Sequence, residues 1–139
     1  MRLEAQLREV CMLIGEDDVV LWSDASESPV ALPDSRARWE AIWSRRDRIV
    51  EIAHSHPLGP EAFSREDETT MAALVTALGR PIRFSVIAPR KMVRTTQRPK
   101  GDPVASSVGH VTQSEHCERE PWWASLLRLA SGMNMNKEE

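Results

Sequence analysis

His54-Ser55-His56-Pro57 places two imidazoles two positions apart, and Ser64-Arg65-Glu66-Asp67 follows after seven residues counted from Pro57 to Phe63. In extended backbone, residues i and i+2 point to the same face about 6.5 to 7 Å apart, so both rings can turn a nitrogen toward one ion. Two imidazoles leave a tetrahedral zinc short of ligands. Asp67, on the first turn of a following helix, can bring a carboxylate back over the strand end as the third. Three protein ligands and one open position is the arrangement of catalytic zinc, whereas structural zinc is closed by four.

Each part also has a plainer use. An H-x-H pair is a common accident of loop composition. Ser64-x-x-Asp67 ahead of an apolar period is a capping-box-like helix start, with Ser64 accepting a backbone N–H and Asp67 favoured at the positive end of the dipole. Capping asks nothing of His54, His56 or Pro57, so the combination points to metal chemistry, with Ser64 able to serve both purposes.

The elements that must position these residues can be read from periodicity. Glu9 to Ile14 and Val19 to Ser23 are apolar runs around Gly15-Glu16-Asp17-Asp18, the pattern of a hairpin. Ala25 to Asp34, with Pro29 and Pro33, reads as a loop. Ser35 to Arg46 sets Trp39, Ile42 and Trp43 at i, i+3 and i+4, predicting a helix with an apolar stripe and arginines toward water. Arg48 to Ser55 is the next strand, with an apolar centre suited to cover on both faces.

Met71, Leu74, Val75 and Leu78 fall at i, i+3, i+4 and i+7 of a second helix, which Gly79 is placed to end. Strands Ile82 to Ala88 and Lys91 to Thr95 flank a Pro89-Arg90 turn. The segment Gln97 to Glu120 is polar, with a short strand expected near Val104 to Val111. Pro121 then opens a helix whose face is Trp123, Leu126, Leu127 and Ala130, ending at Gly132. Packing on the domain is the expected use of Trp122 and Trp123, in preference to partner binding. These readings divide the chain into a core at 1–96, a polar connection at 97–120, a docked helix at 121–132 and a tail at 133–139.

Composition narrows the function classes. The chain has 139 residues, 41% of them apolar, which suits one α/β domain. Eighteen Lys and Arg against 21 Asp and Glu leave a net charge of −3, so nucleic acid is not an expected partner. Cys11 and Cys117 form neither a disulfide framework nor a metal pair, which favours a reduced compartment. The start lacks a signal-peptide core and no stretch approaches a membrane span, so a soluble, cytoplasmic protein of bacterial type is expected. His110 and His116-Cys117 lack partner ligands and read as solvated loop residues. Arg45, Arg46 and Arg48 read as the solvated end of a helix.

His54-Ser55-His56-Pro57, the seven-residue spacing and Ser64-x-x-Asp67 resemble the JAMM motif of the MPN domain, also called the JAB or Mov34/PAD-1 family of zinc metalloproteases. The resemblance covers approximately Leu7 to Thr96. It implies an α/β fold, a curved mixed sheet packed between helices, with zinc at the sheet edge. By the same resemblance His54, His56 and Asp67 are the zinc ligands and Ser64 orients the oxyanion. An upstream glutamate is the general base that takes a proton from water and delivers one to the leaving amine. The implied reaction is hydrolysis of the bond after the C-terminal glycine of ubiquitin or a ubiquitin-like protein.

The family's base commonly opens a strand as E-x-x-G-x-L-x-G. Glu9-Val10-Cys11-Met12-Leu13-Ile14-Gly15 is one residue short of that and lacks the inner glycine. Glu9 is the expected base, with Glu4 and Glu16 as alternatives; because side chains alternate faces, a one-residue shift matters. The short loop Ala25 to Asp34 and the direct run from Asp67 into a helix leave little room for substrate-gripping insertions, and the helix usual before this strand is expected to be short or absent. A minimal form acting on a small ubiquitin-like or sulfur-carrier protein, or on its conjugate, is therefore expected. Two other classes stand beside it: a non-catalytic MPN-type interaction module, and a DNA-repair-associated relative of the RadC group. Nothing in the sequence sets the oligomeric state.

Overall fold

Strand β1, Val10–Ile14, is buried along its whole length, which requires cover on both faces. Alternation divides its side chains: Cys11 and Leu13 pack with Ala41, Ile42, Met71 and Leu74, while Val10, Met12 and Ile14 pack with Trp123, Ala124 and Leu127. The result is a sheet with two helices on one face and one on the other. In this computed structural model, which describes residues 6–101 and 114–133, the elements are β1, β2 (Val20–Ala25), α1 (Arg36–Ser44), β3 (Glu51–Ser55), α2 (Arg65–Leu78), β4 (Ile82–Ile87), β5 (Met92–Gln97), β6 (Glu115–His116) and α3 (Trp122–Ala130).

The six strands run in the order β2-β1-β3-β4-β5-β6. Only β3 and β4 are parallel; every other neighbouring pair is antiparallel. A parallel pair needs a long crossover, and here the crossover runs from His56 through Asp67 and α2. The expected mixed α/β sheet between helices is thus the fold, and it is not closed into a barrel.

Several elements depart in detail from their periodicity. The β1–β2 turn is one turn of 3-10 helix, Glu16–Asp18, with Asp17 and Asp18 at positive φ. Helix α1 is capped by Ser35, whose Oγ accepts the Arg38 N–H at 3.2 Å. The predicted stripe of Trp39, Ile42 and Trp43 buries only Ile42, beside Ala41; Trp39 is 39% and Trp43 54% exposed. A short helix that meets the sheet through an alanine and an isoleucine leaves its larger rings at the rim. There the Arg46 guanidinium lies 4.2 Å over Trp43, a cation–π contact. Arg38 does not face open water but pairs with Asp24 through Nε at 3.2 Å and Nη2 at 3.1 Å.

Helix α2 buries Met71, Leu74 and Val75, and Gly79 ends it at φ 72° with its N–H on the Val75 carbonyl. Strand β3 opens on a carboxylate: Glu51 is fully buried and accepts from Arg83 Nε at 2.9 Å and Arg94 Nε at 2.9 Å. These arginines come from β4 and β5, so the compensating charges arrive only when the strands align, which satisfies the buried carboxylate. Helix α3 buries Trp123, Ala124, Leu127 and Arg128, whereas Leu126 is 40% exposed. Arg128 stays buried by donating to the Glu120 carboxylate and to the Ala88 carbonyl. Trp122 lies exposed with Nε1 on the Asp18 carbonyl, while Trp123 donates to the Asp18 carboxylate. Within the connection, β6 adds to the edge of β5; the strand expected near Val104 to Val111 and nearly all of the expected tail lie outside the described residues.

Candidate metal centre

Strand register carries the site. Cys11 and His54 are directly opposite in the antiparallel β1–β3 pair, so both side chains face the α1 and α2 side. Extending each strand by two residues puts Glu9 and His56 on that same side. The His56 N–H bonds the Ile87 carbonyl at the end of β4, which extends the sheet's order one step past β3. Asp67 enters from the first turn of α2.

There the three expected ligands meet. His54 Nε2 and His56 Nε2 are 3.1 Å apart; Asp67 Oδ1 is 3.2 Å from the first and Asp67 Oδ2 3.3 Å from the second. Ligand atoms about 2.0 to 2.1 Å from a tetrahedral zinc sit roughly 3.3 Å from one another. The two ring nitrogens therefore stand near ligand spacing from each other and each from one oxygen of the Asp67 carboxylate, and among the described residues this trio is the group that could hold a metal ion.

The surroundings orient each donor. His56 Nδ1 lies 2.9 Å from the Pro60 carbonyl, which can only accept, so Nδ1 carries a proton and Nε2 is the nitrogen turned to His54 and Asp67. Asp67 Oδ2 accepts the Ser64 N–H at 2.7 Å, and the Asp67 N–H donates to Ser64 Oγ at 2.9 Å, a complete capping box. The cap and the candidate metal centre thus share one carboxylate. Ser64 Oγ accepts in that bond and keeps its own proton to donate.

Charge follows the same geometry. Burial acts to raise the Asp67 pKa, but hydrogen bonds from His54 and His56, the His54 charge and the Ser64 N–H outweigh it and hold the carboxyl well below its ordinary range. Burial alone would lower His56, yet the bonds to Asp67 and Pro60 and the charges of Asp67 and Glu9 raise it. Glu9, 6% exposed, is raised by burial; His54 and His56 oppose that rise and Asp67 adds to it.

Glu9, His54, His56, Ser64 and Asp67 line the polar end of a cavity of about 610 Å³ that continues along apolar side chains such as Ile42 and Leu74. Of the alternatives to Glu9, Glu16 lies in the exposed turn at the opposite end of β1, and Glu4 lies outside the described residues. The short 26–35 segment supplies one wall through Val30 to Asp34. Cys11 also lines the cavity, with its thiol pushed up to about 12 by burial, so it stays protonated. His116 is exposed on β6, away from the trio, and His110 lies outside the described residues.

Sequence reasoning missed two contributors. Pro60 offers only a backbone carbonyl, which no side-chain pattern marks. Ser131 bonds Ser55 Oγ from the far end of the chain at 2.7 Å, and no periodicity signals it.

A model of prokaryotic homologs of the JAB domain matches residues 3–101. Comparison with curated proteins gives no match. No helix among the described residues is long and apolar enough to cross a membrane.

Proposed function

Because the chain belongs to the family of prokaryotic homologs of the JAB domain, we propose that it is a zinc-dependent peptidase or isopeptidase. The bond cleaved is the one after the C-terminal glycine of a small ubiquitin-like or sulfur-carrier protein. One observation carries this reading: two imidazole nitrogens 3.1 Å apart, each within 3.3 Å of one oxygen of the Asp67 carboxylate, share a cavity with the buried Glu9.

His54, His56 and Asp67 would hold the zinc, which when bound polarises a carbonyl and lowers the pKa of water to about 7. The chain's own groups complete the chemistry. Glu9 accepts a proton at its carboxylate from the attacking water, whose oxygen bonds to the scissile carbonyl carbon. As the C–N bond breaks, Glu9 returns the proton to the amine nitrogen. The Ser64 hydroxyl donates to the developing oxyanion, a role compatible with its acceptor role in the cap.

The test is to incubate zinc-loaded protein with ubiquitin-like fusions carrying residues beyond a terminal Gly-Gly, with and without chelator. Chelator-sensitive cleavage after the second glycine is expected. Native protein that neither carries zinc nor takes it up would sink the proposal.

A further inference from the structure

Helix α3 lies outside the residues that the family model matches, yet its last turn reaches the strand ends that form the site. The Val10 N–H donates to Ser55 Oγ at 2.8 Å, Ser55 Oγ lies 2.7 Å from Ser131 Oγ, and Ser131 Oγ lies 2.7 Å from the Leu127 carbonyl. A carbonyl only accepts, so the proton order is determined: Ser131 donates to Leu127, Ser55 donates to Ser131, and Val10 donates to Ser55. Both serines are fully buried, where an unmade hydrogen bond carries its full desolvation cost.

The same turn grips the chain just before β1. The Arg8 N–H bonds the Ser131 carbonyl at 3.1 Å and Arg8 Nε bonds the Ala130 carbonyl at 2.9 Å. Gly132, at φ +83°, lies so close that a Cβ there would stand 2.6 Å from the Gln6 carbonyl oxygen. Glu9 sits between these anchors. Its own N–H goes to the Ser28 carbonyl and its carbonyl receives the Ser26 N–H, both at 2.9 Å, so the backbone around it is held from two sides.

We infer that Ser131 and Ser55 are positioning residues: their buried relay sets where the Glu9 carboxylate stands relative to His54, His56 and Asp67. Helix α3 is then a working part of the site as well as a cover for the sheet. The inference rests on the assignment of Glu9 as the base in the proposed function. Ser131 is the cleaner probe, because Ser55 lies between two ligands.

Zinc-loaded full-length protein with Ser131→Ala should keep its zinc affinity within about twofold while kcat falls about tenfold at nearly constant KM, the scale on which a supporting residue acts. Ser125→Ala, exposed on the same helix, should change neither. In a Glu9→Gln background, Ser131→Ala should cause no further loss, since it acts through Glu9. A readout independent of catalysis is the ¹³C carboxyl resonance of Glu9 in metal-free protein, expected to shift with Ser131→Ala and not with Ser125→Ala. An unshifted resonance, or an equal loss of rate with and without Glu9, overturns the inference. If wild-type protein cleaves no fusion, the proposed function fails, while the resonance still decides the positioning. Should Ser131→Ala not fold, Ser131→Cys, a weaker donor, carries the same comparison.

Discussion

The two sides of the cavity are built by opposite means. His54, His56, Ser64 and Asp67 come from 14 consecutive residues and are arranged by one strand end, one crossover and one helix cap. Glu9 comes from far earlier in the chain and is held by Ser26 and Ser28 on one side and by residues near Ser131 on the other. The first half is local and largely self-supporting; the second exists only once β1, β3 and α3 are assembled. Donor types can be recognised where spacing is short, whereas a carboxylate placed by register and distant anchors requires the fold.

The contrast can be broken most severely at the local half. His56→Ala removes a donor and its Pro60 anchor, and zinc content should fall from about one per chain to background, with all hydrolysis lost. Retention of stoichiometric zinc by this variant would show that the trio is not the metal centre. On the distant half, Glu9→Gln should keep zinc and lose about 10²- to 10⁴-fold in kcat, the range for a positioned acid/base group. Metal analysis alongside a rate assay separates the two cases, and full activity in this variant would return the base to another carboxylate.

Trp123→Ala attacks the distant half through packing. A fully buried tryptophan on α3 should cost about 3 to 5 kcal/mol of stability by denaturant unfolding. Ser64→Ala tests the overlap of cap and chemistry. Loss of the cap should cost about 1 kcal/mol, and loss of an oxyanion donor about 10²- to 10³-fold in kcat. A variant showing only the stability loss would confine Ser64 to capping.

The smallest effect is on acid stability without metal. The Asp67 carboxyl is lowered in the folded state, so it contributes stability that is present above an unfolded pKa of about 3.9 and lost as pH falls toward the folded value. Urea midpoints in chelator, from about pH 6 to pH 3, should therefore show wild type and Asp67→Asn converging as pH falls. Parallel curves would show that the trio does not hold the carboxylate ionised.

The legibility of the fold follows the same division. Helix α2 was readable because Met71, Leu74 and Val75 repeat at helical spacing and Gly79 follows, and all of these are local signals. The stripe on α1 was misleading, because periodicity locates an apolar face but not how closely the sheet approaches it; Trp43 remains at the rim under Arg46. Buried charges were invisible for a related reason. Glu51 and Arg128 can be buried only because Arg83, Arg94 and Glu120 arrive from elsewhere in the chain to satisfy them.

The sequence by itself determined which donors are offered: imidazoles at i and i+2 on a strand end share a face, and the next helix start carries a carboxylate. It also determined that this carboxylate has a second use in the cap. Only the tertiary structure decided that Glu9 shares the cavity with His54, His56 and Asp67. That outcome depends on the β1–β3 register and on a hydroxyl relay from the end of α3, and contacts between residues so distant in the chain leave no period or spacing to read.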